Sequence, residues 1–472
     1  MLADCSQPQL KSSLITAKDL SKSESYVSDQ LLEVENVVED CAKNTDAPSC
    51  INSSKVTQNV VWPIHPVSQH ASSTRNPIRE ICDKLSTVSI SKKRLIKLDL
   101  GDPSATGLFP PSPTNKQALL ATVSSHKYVS YGPAVGHEEV RNAIVRHFST
   151  PAAPFTSDDV ILTSGCSHAL QLAIEALADP GDNILVPCPG FPLYLTLLKP
   201  HGIQGRFYQI VLNDRARIDL PYLESLIDEK TRAIIVNNPS NPLGAVYPKQ
   251  HLEAILQIAF NYKIPIIADE VYGQITFNNT KFYPLATLQP KVPIITCDGI
   301  SKRYLSPGAR LGWLIIHDHC NVFKEVRKGL VSLAQKICGP STLIQSALPY
   351  ILDKTPQSFF DNMRQKLEIN ANVAYSILSQ IPGLYPVKPE GAMYMSVGIN
   401  EAMYGTDKEF LQKLIYEQNV FCLPGTVFFC SSMFRMALIF PKEVIVDACC
   451  RIKVFCLKYY TSKIENLRKI SY

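Results

Sequence analysis

Residues Val160–Pro187 read VILTSGCSHALQLAIEALADPGDNILVP. Val160–Thr163 is a short, wholly apolar run. Ser167–Ala178 follows with helical spacing at Ala169, Leu170, Leu172, Ala173 and Leu177, and stops at Pro180-Gly181. Asn183–Pro187 (NILVP) is apolar again. The stretch therefore reads strand, helix, strand. The same alternation continues with Arg232–Asn237 (RAIIVN), a helix over Lys249–Tyr262, Ile264–Ala268 (IPIIA) and Pro293–Cys297 (PIITC). Strands that are apolar throughout, rather than on alternate residues, are buried on both faces. Strand–helix alternation of this kind predicts an α/β fold with a mostly parallel sheet between helices.

Outward from this core the pattern changes. Ile96–Leu100 (IKLDL) reads as a short strand leading into the turn Gly101-Asp102-Pro103. Beyond about residue 365, helical patterns at Phe359–Gln380 and Asp407–Gln418 surround strands at Gly391–Val397 and Met433–Ile439, which predicts a smaller α+β domain. Residues 1–72 contain no Gly and only two aromatic residues, Tyr26 and Trp62. They read as a disordered tail in which Asp29–Asp40 has the spacing of a short amphipathic helix.

The chain has 472 residues, enough for two or three domains and a large core. With 45% hydrophobic and 19% charged residues it is not disordered throughout. The net charge, 47 − 42 = +5, gives no support to nucleic-acid binding. No apolar run is long enough for a membrane span, and the N-terminus lacks the pattern of a signal peptide. The 14 cysteines are irregularly spaced, with no CxxC, and read as reduced thiols of a cytoplasmic protein.

In open α/β sheets, ligands bind beyond the carboxyl ends of the strands. Ser164-Gly165-Cys166-Ser167 follows the first strand and opens a helix, where free N–H groups suit a phosphate or form an ordinary tight turn. Asn238–Gly244 (NPSNPLG) is a rigid turn able to fix the amide of Asn241. Asp269-Glu270-Val271-Tyr272 puts a carboxylate at the end of a buried strand, paired with a protein cation or facing a cationic ligand. Lys302 follows the last strand on the same rim, and Arg310 lies eight residues on, past a Pro-Gly turn. A desolvated lysine there is a candidate Schiff-base nucleophile, and the arginine a candidate phosphate clamp.

Taken together, in this order, these features closely resemble the fold-type-I pyridoxal-phosphate aminotransferases, and most of all their tyrosine-type members. The resemblance is carried by NPIREICDKL (Asn76–Leu85), Gly101-Asp102-Pro103, KYVSYGPAVG (Lys127–Gly136), VILTSGCSHAL, NILVPCPGFPLY, VNNPSNPLGAVY, IIADEVYG, SKRYLSPGARLGWLIIHD, IPGLYPVKPEGAMYM and CLPGTVF. It spans roughly Asn76 to Tyr460. It implies a seven-stranded, mostly parallel sheet in a large domain over 112–365, with 73–111 and 366–472 forming the arm and the smaller α+β domain.

The same resemblance implies pyridoxal 5'-phosphate as cofactor, held by Lys302, the residue that also moves the substrate proton. Asp269 is then the partner of the pyridine nitrogen. Tyr272 and Asn241 bond the cofactor's 3′-oxygen, Arg310 and Gly165, Cys166 and Ser167 take the phosphate, and Phe191 stacks on the ring. Tyr131 reaches the phosphate of a neighbouring subunit, which implies a homodimer. Arg435, with Gly101 and Asn241, binds substrate. Gly299 stands three residues before Lys302, where aspartate aminotransferases carry a phosphate-binding serine, and Leu243 and Gly425 bear on pocket shape. No second arginine is assignable to a dicarboxylate side chain, which fits an aromatic donor. The implied reaction is ping-pong transfer of the amino group of L-tyrosine to 2-oxoglutarate. A transaminase of alanine or another neutral amino acid, or a lyase, would share the fold, since reaction choice lies in pocket detail.

Overall fold

The computed structural model describes residues 64–84, 93–110, 112–126, 128–213, 215–277, 279–288 and 291–470. The helix expected at Asp29–Asp40, and most of the expected tail, lie outside those residues. Val67–Tyr472 form one compact unit. It begins with a short helix, Gln69–Ser73, capped by Ser68 Oγ, which accepts from the Ala71 N–H. A second helix follows at Pro77–Lys84.

In chain order the strands are β1 (Ile96–Lys97), β2 (Val160–Thr163), β3 (Asn183–Cys188), β4 (Gln204–Val211), β5 (Arg217–Ile218), β6 (Thr231–Asn237) and β7 (Ile266–Asp269). They continue as β8 (Ile294–Gly299), β9 (Gly312–His317), β10 (Leu384–Pro386), β11 (Tyr394–Ile399), β12 (Val420–Phe421), β13 (Leu423–Pro424) and β14 (Met433–Ala437). The large sheet has the order β2-β9-β8-β7-β6-β3-β4-β5. Among the described residues it has eight strands, against the seven expected. The additional one is β5, a two-residue edge that pairs antiparallel with β4 through Ile210↔Ile218. Neighbours β4, β3, β6, β7 and β8 run parallel. β9 is antiparallel to both of its neighbours.

Alternate residues of the central strands face opposite layers. Ile235, Ile267 and Ile295 belong to a core with Leu170 and Ala173 of the helix Cys166–Leu177. Ile234, Ile266 and Ile294 pack with Leu252, Ile255 and Ala259 of the helix Lys249–Tyr262. Helices therefore cover both faces, the physical reason those strands carry no polar alternation. Buried isoleucines of this kind each contribute on the order of 2 kcal/mol of transfer free energy.

A second, antiparallel sheet has the order β10-β11-β14-β13. β1 pairs in parallel with β12, Ile96 opposite Val420, so the N-terminal strand is built into the C-terminal part of the chain. Only Ile96 and Lys97 of the expected strand Ile96–Leu100 are ladder residues. The Leu98 N–H still donates to Phe421 O (2.7 Å), and Leu98 O accepts from the Ala437 N–H (2.9 Å). The helix Gln357–Leu378 runs unbroken across residue 365, where the sequence suggested a boundary. A long terminal helix, Lys442–Ile470, was not anticipated.

Candidate active site

Five strands of the large sheet end around one cleft. Thr163, Cys188, Asn237, Asp269 and Gly299 are the last residues of β2, β3, β6, β7 and β8. The cleft encloses about 590 Å³, and its walls include Gly101, Cys166, Ser167, Phe191, Asn241, Asp269, Tyr272, Lys302, Arg310 and Arg435. The structure thus gathers ten of the twelve residues singled out from sequence. Gly165 lies just behind the wall. Tyr131 is not part of it and is 94% exposed.

The turn after β2 explains one end of the cleft. Gly165 caps the helix Cys166–Leu177 with φ +79°, a conformation that side chains oppose. A Cβ there would fall 2.4 Å from Arg310 Nη2. Its lack of a side chain lets the guanidinium close over the helix start, where Nη2 donates to Ser164 O at 3.0 Å. A Cβ on Gly312 would lie 2.5 Å from the Gly165 carbonyl carbon, and one on Gly299 only 2.9 Å from Gly312 Cα. Position 299 therefore has no room for a serine. The first-turn N–H groups of Cys166 and Ser167 and the Arg310 guanidinium could together hold a phosphate.

Asp269 lies at the floor. It is buried, and its Oδ2 accepts from Tyr194 Oη at 2.7 Å. Cys166 Sγ lies 3.8 Å from Oδ1. Among the described residues no cation forms an ion pair with it. Burial pushes its pKa up to about 6, despite the hydrogen bond from Tyr194. Glu270 points away from the cleft, accepts from the Leu285 N–H (2.7 Å), and is pushed by burial to about 8.

Lys302 Nζ donates to Gly101 O at 2.6 Å. Tyr272 Oη is 2.8 Å from Tyr394 Oη, with the two rings edge to face. Burial pushes Tyr272 well above the usual phenol range. Burial acts the same way on Tyr394, but the Lys302 and Arg435 cations and the Tyr272 hydrogen bond outweigh it, and its pKa is lowered. A Cβ on Gly101 would fall 1.8 Å from Tyr394 Oη, so glycine there admits the phenol.

Arg435, on β14, is 2% exposed. Its Nη1 donates to Asn241 Oδ1 (2.9 Å) and its Nη2 to Asp99 O. The guanidinium lies 4.1 Å from the Tyr394 ring centroid and 4.8 Å from that of Phe428. Its Nε is buried and has no hydrogen-bond partner among the described residues. Asn241 is itself fixed by its N–H, which donates to Asn237 Oδ1 (2.7 Å). A rigid, buried fork that retains an unused donor suits a carboxylate.

Sequence reasoning missed Tyr194, Tyr394, Asn237 and the segment Asn76–Arg79, which also lines the cleft. Tyr194 and Tyr394 stand within quoted motifs, but their function depends on contacts 75 and 122 residues away.

The site fits pyridoxal phosphate on three counts: a phosphate cradle, a buried carboxylate awaiting a cation, and a lysine held over the same space. The family profile described as aminotransferase class I and II matches residues 93–452. The chain is 52% identical to a tyrosine aminotransferase of Caenorhabditis elegans over 88% of its length and 89% of the relative's. The crystal structure of tyrosine aminotransferase from Leishmania infantum superposes with a TM-score of 0.81 at 31% identity, covering 84% of this chain and 99% of that one. An alanine aminotransferase from Pyrococcus furiosus superposes with a TM-score of 0.79 at 32% identity, covering 83% and 100%. Three-quarters of the chain matches the family profile, and a donor set suited to the cofactor lines the cleft at the strand ends. The chain accordingly belongs to the class I and II aminotransferases and is a fold-type-I enzyme dependent on pyridoxal 5'-phosphate.

Proposed function

We propose that the enzyme transfers the amino group of L-tyrosine, and of other aromatic amino acids, to 2-oxoglutarate, giving 4-hydroxyphenylpyruvate and glutamate. The observation that carries this reading is the 52% identity to a tyrosine aminotransferase across nearly the full length of both chains. The alanine aminotransferase likeness, at 32%, is the more distant one.

Bound pyridoxal phosphate supplies the electron sink that protein side chains lack. Lys302 Nζ, already aimed into the cleft by Gly101 O, holds the cofactor. The free Lys302 amine would serve as the base and acid that handles the proton at substrate Cα. Asp269 would keep the pyridine nitrogen protonated, with its carboxylate held in place by the hydrogen bond from the Tyr194 hydroxyl. Tyr272 and Asn241 would bond the cofactor's 3′-oxygen, Phe191 would cover its ring, and Arg310 with Gly165, Cys166 and Ser167 would hold the phosphate. Arg435 orients the substrate α-carboxylate against Asn241 and Gly101.

The division into a cofactor-binding part, 112–365, and a smaller part built from 73–111 and 366–472 belongs to the same reading; the pairing of β1 with β12 supports it. We assign a homodimer, supported by the exposure of Tyr131 beside exposed Val129. Among the described residues every cysteine is a free thiol and no helix is long and apolar enough to cross a membrane, which supports a cytoplasmic setting.

The test is the visible absorption of the cofactor-loaded protein. L-Tyrosine alone should bleach the lysine-bound cofactor's band, and 2-oxoglutarate should restore it. A band that ignores tyrosine but responds to alanine would overturn the substrate.

A further inference from the structure

Four cationic side chains are found in the cleft wall among the described residues: Arg79, Lys302, Arg310 and Arg435. Three are engaged. Lys302 donates to Gly101 O, Arg310 to Ser164 O and Pro307 O, and Arg435 to Asn241 and Asp99. The Arg79 guanidinium makes no hydrogen bond or ion pair among the described residues, and the residue is exposed at the cleft mouth.

The backbone beneath Arg79 is nevertheless anchored. Its N–H donates to Asn76 Oδ1 (3.3 Å), the start of the helix Pro77–Lys84. Ile78, the preceding residue, is buried in a cluster with Phe421, Leu423 and Phe428 from the C-terminal part of the chain. On the other side, Arg75 O accepts from Thr196 Oγ1 (2.6 Å) on a helix of the large sheet. The segment is therefore tied to both halves of the fold and adds to the cleft lining an arginine whose guanidinium is unpaired among the described residues.

Resting on the reaction proposed above, charge matching decides what that cation meets. The cofactor phosphate is served by Arg310 and a helix N-terminus, and the α-carboxylate by Arg435. A dicarboxylic 2-oxoacid brings one more negative charge, and a tyrosine does not. We infer that Arg79 binds the distal carboxylate of the dicarboxylic 2-oxoacid and of the amino acid made from it. A long arginine on an exposed stem swings aside, or lies over the phenol face, when an aromatic substrate occupies the same space. One cleft thereby accepts a neutral aromatic donor and a doubly charged acceptor in turn.

The test compares equilibrium binding of two non-reacting probes, glutarate and 3-phenylpropionate, to the cofactor-loaded enzyme, read from its visible spectrum. Arg79→Met should weaken glutarate about tenfold or more relative to 3-phenylpropionate, a loss expected for one charge-assisted contact. Arg79→Lys should recover part of it. In turnover, the KM ratio of 2-oxoglutarate to phenylpyruvate should rise by a similar factor. Glutarate binding should weaken with added salt in the wild type, and much less in Arg79→Met. An unchanged ratio, or equal losses for both probes, overturns the inference. Failure of the wild type to respond to tyrosine overturns the proposed donor instead, so the two failures are distinct.

Discussion

Asp269 is a buried carboxylate that no cation among the described residues neutralises. Its pKa stands at about 6 in the fold against 3.8 for an ordinary aspartate. Between those values the native chain holds more of this proton than the unfolded chain does. The contribution to stability is present below pH 3.8 and falls as pH rises through 6, by on the order of 3 kcal/mol in all. More than about 1 kcal/mol of that falls between pH 5 and 7. An asparagine has no such proton. Denaturant unfolding of the cofactor-free protein should therefore show wild type losing about 1 kcal/mol relative to Asp269→Asn over that interval. A pH-independent difference between the two would mean that the carboxylate is solvated or otherwise paired. The residue was legible in sequence because a carboxylate ending a buried strand demands an explanation. Tyr194, its hydrogen-bond donor, was not, because nothing local distinguishes it from a core tyrosine.

Elements were legible where local physics and tertiary packing agree. The helix Asp407–Gln418 has the bounds read from sequence, and its start shows why. Thr406 Oγ1 accepts from the Glu409 N–H, and Glu409 Oε2 accepts from the Thr406 N–H, so two first-turn donors are satisfied. Thr406→Ala should cost about 1 kcal/mol in denaturant unfolding, and Thr406→Ser far less. Equal losses would place the effect in methyl packing rather than in the cap. β4 went unread because it lies near the sheet edge, where QGRFYQIV mixes exposed and buried residues without clean alternation. β9 (GWLIIH) is buried throughout, but its strand character was overshadowed by the lysine and arginine just before it. The terminal helix had its signal in Ile445, Ala448, Cys449, Ile452, Phe455 and Cys456, all buried at helical spacing.

At the scale of the whole molecule, one residue of the candidate set, Tyr131, lies outside the cleft formed by the described residues. Tyr131 projects into solvent, and Leu120 and Val123, three apart on the helix Pro113–Ser125, are also exposed. Large apolar side chains left exposed in this way fit a face covered by a second copy. Under that arrangement each site draws Lys302 from one chain and Tyr131 from the other. Tyr131→Ala homodimers should bind pyridoxal phosphate more weakly at both sites, and Lys302→Ala homodimers should be inactive at both. In a hybrid of the two variants, one site combines an intact Lys302 with the partner's intact Tyr131, and the second site has neither. Differently tagged chains, co-expressed and purified as the hybrid, should thus regain activity at limiting cofactor, up to half the wild-type level. If Tyr131 served its own chain, both hybrid sites would carry a defect and no activity would return.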